Sequence, residues 1–253
     1  MLLLVFFSEK SISFSTYSKN GSRFLSHHKF SLLSSKSVDE SCNEAFAKLP
    51  YQRADFLETK VGFYSPIVTL FPSALDNETI QKIFVFEHGL PQEDCKMMRI
   101  KSASFGKLAY IFPEEETTWA SQKFKAPELF SSRELYVNFT MQSISKDVLL
   151  LIVLDEAIEL IIKSNGELQF HNHFKVNTTE DILYYTLYTL EQIGINKDFI
   201  DCYIGGNLIS TEFDLAEIKR FIKIKSLPQK DSFHSSKELN ATYFSSFQLL
   251  LCE

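Results

Sequence analysis

The residues best suited to chemistry fall in the second half of the chain. Asp155 and Glu156 close the apolar run Leu149–Leu154, which sets carboxylates at a strand end, where an Asp can position a divalent cation and its water. Gly205-Gly206-Asn207 follows Tyr203-Ile204, and a glycine pair lets backbone pass close to a flat ligand with no Cβ in the way. The same pair also serves as an ordinary strand-to-helix turn. His171-x-His173 puts two imidazoles on one strand face, because the side-chain period is two; the sequence indicates no third ligand, so surface polarity is expected there and not a metal site. His27 and His28 alternate in direction and cannot pair. His88, before Gly89, is expected at a helix end facing free carbonyls. Asp155 and Glu156, with only Glu9 in the first half, supply too few acids for two-metal nuclease chemistry. Serine hydrolase, P-loop and zincin motifs are lacking. Tyr184, Tyr185 and Tyr188 are expected in core and cleft wall and not as a base-stacking platform.

The elements that must position these residues repeat. Leu2–Glu9 resembles Leu149–Glu156, an apolar run closed by Ser-Glu or Asp-Glu. A second strand follows each, through Ile12, Phe14 and Tyr17 or through Ile158 to Ile162. Asn20-Gly21 and Asn165-Gly166 then mark hairpins, since both residue types tolerate positive φ. Third strands run over 23–33 and 167–176. Ser37-x-x-Glu40 and Thr178-x-x-Asp181 fit capping boxes, predicting helices that stop at Pro50 and Gly194. Fourth strands are expected over 61–70, with an edge or bulge at Pro66, and over 200–204. Closing helices are expected over 78–86, capped by Asp76, and after Thr211-x-x-Asp214, the latter ended by Pro228. Between the copies, strands are expected over 97–101, 108–112 and 135–140, and an exposed helix start at Glu114-Glu115-Glu116. The tail should be polar to about Tyr243 and then dock on the body through Phe244, Phe247 and Leu249–Leu251.

Strand-strand-strand-helix-strand-helix, twice, is an α/β arrangement of two ribonuclease-H-like halves, here 1–146 with inserted strands and 147–253 with a tail, expected to enclose a cleft. It is the duplicated architecture of actin, Hsp70 and sugar kinases. Over nearly the whole chain the sequence resembles an uncharacterised bacterial family described as having an actin-like ATPase fold, through Thr69-Leu70-Phe71-Pro72, Gly166–Phe174, Thr179–Tyr185 and Leu249–Cys252. That resemblance implies the fold and assigns no catalytic residues. Active relatives of this architecture carry an Asp and glycines in the turn after the first strand of each half. Here the first turn reads Phe7-Ser8-Glu9-Lys10-Ser11 and the second Leu154-Asp155-Glu156-Ala157, with no glycine in either. If nucleotide binds, Asp155 would help hold Mg²⁺, and Gly205, Gly206 and Asn207 would face the adenosine of ATP.

Composition sets the remaining bounds. The 253 residues carry 26 Lys+Arg against 32 Asp+Glu, a net charge of −6, which disfavours nucleic acid because phosphate neutralisation needs clustered cations. Lys219, Arg220, Lys223 and Lys225 read as a solvated helix face. Met1–Phe7 reads as a strand and not as an export signal, and no apolar run approaches the roughly 18 residues a membrane helix needs. Cys42, Cys95, Cys202 and Cys252 are scattered, as expected of reduced thiols in a cytoplasmic protein. The expectation is a cytoplasmic, non-catalytic protein that binds a protein partner, with no membrane or nucleic-acid partner and no cofactor; the alternative is an ATP-binding or kinase-like protein.

Overall fold

The computed structural model describes residues 1–20, 23–51, 56–91, 94–103, 105–206, 213–225 and 244–251. Gly21, Asn207, Thr211, Pro228 and Cys252, which figure in the sequence reading, lie outside them. The chain divides into two compact units, one of residues 1–18 and 25–134, the other of 19–24 and 135–253.

The first unit is built on a five-stranded sheet of order β3-β2-β1-β4-β8, with β1 (Leu2–Phe7), β2 (Ser11–Ser18), β3 (Arg23–Ser31), β4 (Glu58–Phe63) and β8 (Glu128–Ser131). β1 is antiparallel to β2 and parallel to β4, which is parallel to β8. Every residue of β1 is buried, the pattern of a strand covered on both faces, so it reads as an unbroken apolar run and not as an alternation. On one face, Leu3, Val5, Phe7, Ile12, Phe14, Val61 and Phe63 pack against α1 (Val38–Ala47) and α3 (Glu114–Lys123) through Cys42, Phe46 and Trp119. The packing is aromatic: Phe7 stacks on Phe63 at 5.2 Å and meets Trp119 edge-on at 5.9 Å. Ser37 caps α1 as expected, its hydroxyl accepting from the Glu40 amide while Glu40 accepts from the Ser37 amide.

Between β4 and α3 the chain builds a second, three-stranded sheet, β5-β7-β6, from β5 (Val68–Phe71), β6 (Met98–Ala103) and β7 (Gly106–Ile111). The helix α2 (Asn77–His88) belongs here, capped by Asp76, which accepts from the Thr79 amide at 2.9 Å. Two expectations are thereby corrected. Residues 61–70 form not one strand but two, in different sheets, because Pro66 has no amide to give a ladder and the chain leaves β4 at Tyr64. The closing helix of the first copy is α3, led by Glu114–Glu116, and not α2.

The second unit repeats the first. Its sheet has order β11-β10-β9-β12-β13, from β9 (Val148–Val153), β10 (Ala157–Ser164), β11 (Glu167–Lys175), β12 (Asp201–Gly206) and β13 (Ile224–Lys225). Asn165 and Gly166 take φ of 52° and 84° in the β10–β11 hairpin, as the turn type requires. Leu149, Leu151, Ile158, Leu160, Cys202 and Ile204 pack against α5 (Thr179–Gln192) and α6 (Leu215–Phe221), an aliphatic core where the first is aromatic. Thr178 and Asp181 form the expected capping box of α5. Asp214 itself caps α6, accepting from the Ala216 and Glu217 amides, so the cap expected at Thr211 falls three residues later. The segment 135–140, expected as a strand, lies instead in the helix α4 (Ser132–Gln142), which carries the chain from one unit to the other. Near its end the chain forms α7 (Phe244–Leu251), docked on β12. No helix among the described residues is long and apolar enough to cross a membrane.

Candidate functional site

Parallel pairing decides which predicted residues meet. In the β9–β12 ladder Gly205 lies beside Ile152 and Gly206 beside Val153, two residues before Asp155. Asp155, Gly205 and Gly206 therefore gather at the carboxyl ends of adjacent parallel strands, the edge where open α/β sheets place ligands. In the first unit Gly62 lies beside Phe6 and Phe63 beside Phe7, so the first copy has a single glycine where the second has a pair.

Each glycine of that pair has a neighbour pressed against it. A Cβ on Gly205 would stand 2.9 Å from Cγ of Phe244. A Cβ on Gly206, whose φ is +98°, would stand 2.1 Å from the carbonyl oxygen of Val153. The first close approach is to the ring of α7, the second to the backbone of β9. Phe244 is 2% exposed; its ring meets Phe139 edge-on at 4.9 Å and stacks on Tyr136 at 5.8 Å. The Tyr136 hydroxyl shares a 2.7 Å hydrogen bond with the Ser245 hydroxyl. The sequence marked the apolar tail as docking but not its seat, because a contact between residues 205 and 244 leaves no local pattern.

The two turns are built alike. The Ser8 amide donates to the Ser11 carbonyl at 2.8 Å, and the Leu154 amide to the Ala157 carbonyl at 2.8 Å, leaving Glu9-Lys10 and Asp155-Glu156 between. The residue after the third strand of each copy then ties back, the Leu32 amide donating to the Lys10 carbonyl and the Val176 amide to that of Glu156. Neither turn contains a glycine or a described residue of positive φ.

The other candidates disperse. His171 Nε2 lies 2.9 Å from a carboxylate oxygen of the fully buried Glu159, whereas His173 is exposed. Among the described residues no three metal-ligating side chains converge. His27 bonds the Ser15 hydroxyl through Nδ1 at 2.7 Å, and burial pulls its pKa from 6.5 down to about 3. His88 ends α2, but its Nε2 bonds the Thr69 hydroxyl at 2.9 Å and its ring packs on Phe84, in place of the carbonyls expected. The basic run is solvated as expected, with Lys219, Arg220, Lys223 and Lys225 all exposed, but only Lys219 and Arg220 lie on α6; Lys225 is in β13 and bridges to Asp201 at 2.5 Å. Tyr184 and Tyr188, expected in the core or cleft wall, are 60% and 47% exposed. The first unit also carries a hollow of about 850 Å³ lined by Phe46, Leu57, Thr59, Lys123, Phe124 and Ala126 among others, none of them marked by the sequence.

Two sheets of one topology, each with three leading antiparallel strands and a parallel crossover, define the duplicated actin-like ATPase fold. The chain belongs to the family described as "Protein of unknown function (DUF3822)", which matches residues 2–224. Among solved structures it is similar to a Bacteroides thetaiotaomicron protein with actin-like ATPase fold and unknown function, at 18% identity and a TM-score of 0.76, over 100% of this chain and 96% of that one. It is also similar to a chain of the PilM-PilN type IV pilus biogenesis complex, at 11% identity and 0.62, over 99% and 97%. The cytoplasmic domain of EpsL, an inner membrane component of the type II secretion system of Vibrio cholerae, aligns at 9% and 0.51, over 100% and 95%. At these identities the likeness is one of fold. No curated protein matches the sequence.

Proposed function

We propose that this chain is a non-catalytic protein of the actin-like fold that works by binding a protein partner, its nucleotide motifs being degenerate. The observation that carries the reading is the ring of Phe244 against Gly205: the glycine whose bareness would admit an adenosine holds a side chain of α7. The turns agree with it. Each closes over two residues without a glycine, and Leu154 spends its amide on Ala157, whereas phosphate cradles present free amides from small residues. Glu156, exposed in the second turn, adds negative charge where a triphosphate would lie. These residues do not fit Mg-ATP. The fold itself is shared by many activities, but PilM, solved in a complex with PilN, and EpsL, a secretion-system component, are examples of it in protein assemblies.

Calorimetry with Mg-ATP tests the reading, with no heat of binding expected up to millimolar nucleotide. Saturable micromolar binding, weakened by Asp155→Asn, would reject it in favour of the ATP-binding alternative. Asp155 is the residue to change, since a side chain at Gly206 would strike the Val153 backbone whether or not nucleotide binds.

A further inference from the structure

The exposed residues of α5 fall on one line. They are Glu180, Tyr184, Tyr188, Glu191 and Gln192, spaced as successive turns of one helix face. The rings of Tyr184 and Tyr188 lie 5.6 Å apart and within 9° of parallel. Inner rings hold them: Tyr185 meets Tyr184 edge-on at 5.3 Å and stacks on Phe174 at 4.4 Å. The outer pair is therefore an ordered aromatic surface, and burial in the unit's own core does not account for it.

Charge selects what such a surface can take. A carboxylate stands about one turn beyond each end of the pair, and α5 contains Glu180, Asp181 and Glu191 but no Lys, Arg or His. Asp181 is engaged by the Asn177 and Thr178 amides at the cap, which leaves Glu180 and Glu191 to face a ligand. Stacked bases would bring phosphates against two acids on a helix that carries no cation of its own, so a nucleic acid is disfavoured. A guanidinium is matched twice, by the ring faces through cation–π attraction and by the carboxylates through paired hydrogen bonds; an ammonium cannot make the flat stacking contact.

We infer that the exposed stripe of α5 docks an arginine-bearing segment of a protein partner, with guanidinium groups over Tyr184 and Tyr188 and the carboxylates of Glu180 and Glu191 beside them. This rests on the partner-binding reading above and adds the surface and the chemistry.

The test is a titration of the full chain, its tyrosines isotope-labelled, with a short peptide of alternating arginine and alanine and with its lysine counterpart, followed by nuclear magnetic resonance. Tyr184→Phe and Tyr188→Phe assign the signals. Saturable shifts should concentrate in these two rings, with the arginine peptide bound at least about threefold more tightly, since an ammonium forgoes the flat stacking contact. Tyr184→Ala with Tyr188→Ala should weaken binding at least about fivefold. Glu180→Lys with Glu191→Lys, which keeps both rings, should weaken it at least as much. Equal response to both peptides spread over other tyrosines, or undiminished binding by the double alanine variant, would overturn the inference. So would a malto-oligosaccharide or oligothymidylate that moved these rings where the arginine peptide did not. Mg-ATP plays no part in this titration, so nucleotide binding would sink the non-catalytic reading without touching it, and its own failure would leave that reading standing.

Discussion

Phe244→Ala probes the feature on which the functional reading turns. The ring is 2% exposed, meets Phe139 and Tyr136 and fills the space over Gly205. Truncating a buried Phe to Ala costs about 3–5 kcal/mol, and the lost edge-to-face contact places this site in the middle of that range or above it. In the parent protein, Gly205→Ala sets a methyl 2.9 Å from the ring, an overpacking worth about 1–3 kcal/mol. In the Phe244→Ala background the contact at 2.9 Å with Cγ is gone while the Cβ of residue 244 stays 3.1 Å away, so the same methyl should cost clearly less. The double-mutant cycle should thus show a coupling of about 0.5–2 kcal/mol. Urea unfolding followed by far-ultraviolet circular dichroism measures both. A Phe244→Ala cost under about 1 kcal/mol, or a Gly205→Ala cost equal in the two backgrounds, would show that α7 is not seated on β12 as described.

Two further outcomes follow from burial. The His27 pKa is held at about 3 in the folded chain against 6.5 unfolded, so between those values the unfolded chain binds a proton that the folded chain refuses. His27 contributes nothing to pH dependence above 6.5, and stability falls as pH drops below it, by at most about 1.4 kcal/mol per pH unit from this group. His27→Gln should flatten that part of the stability profile, and an unchanged acid slope would refute the assignment. Cys42 and Cys202 are buried with their thiol pKa values pushed up to about 12, so neither should take up iodoacetamide at pH 8 until the chain is denatured; mass spectrometry of the native, labelled protein finding adducts on either would show that its core is open.

Much of the fold was legible because it is set locally. The Ser37 and Thr178 boxes and the Asp76 cap are short-range hydrogen-bond patterns, and the repeat of apolar runs announced two copies of one unit. The segment 135–140 was misread because Leu135, Val137 and Phe139 alternate with Tyr136, Asn138 and Thr140, a strand's period of two, whereas in the fold the helix Ser132–Gln142 is buried on almost every side and has no wet face to set a helical period. The insertion was misplaced because Val61 to Leu70 is apolar across a break that only Pro66 hints at. At the candidate site, adjacency of Asp155 and Gly206 followed from expected strand ends, but the occupant of Gly205 lies 39 positions downstream and could not be read. Tyr184 and Tyr188 share a helix with the core residues Ile182, Leu183 and Leu190, and composition alone does not say which of its faces is wet.

The tightness of the bend after β9 limits how far substitutions there could reshape it. Replacing Asp155 or Glu156 by glycine would loosen the backbone but lengthen nothing, because Leu154 and Ala157 are already joined across it and Val176 holds the Glu156 carbonyl. Lengthening this bend would require inserted residues, and it would give up both hydrogen bonds that now pin it; a point substitution changes only how firmly the hairpin is held.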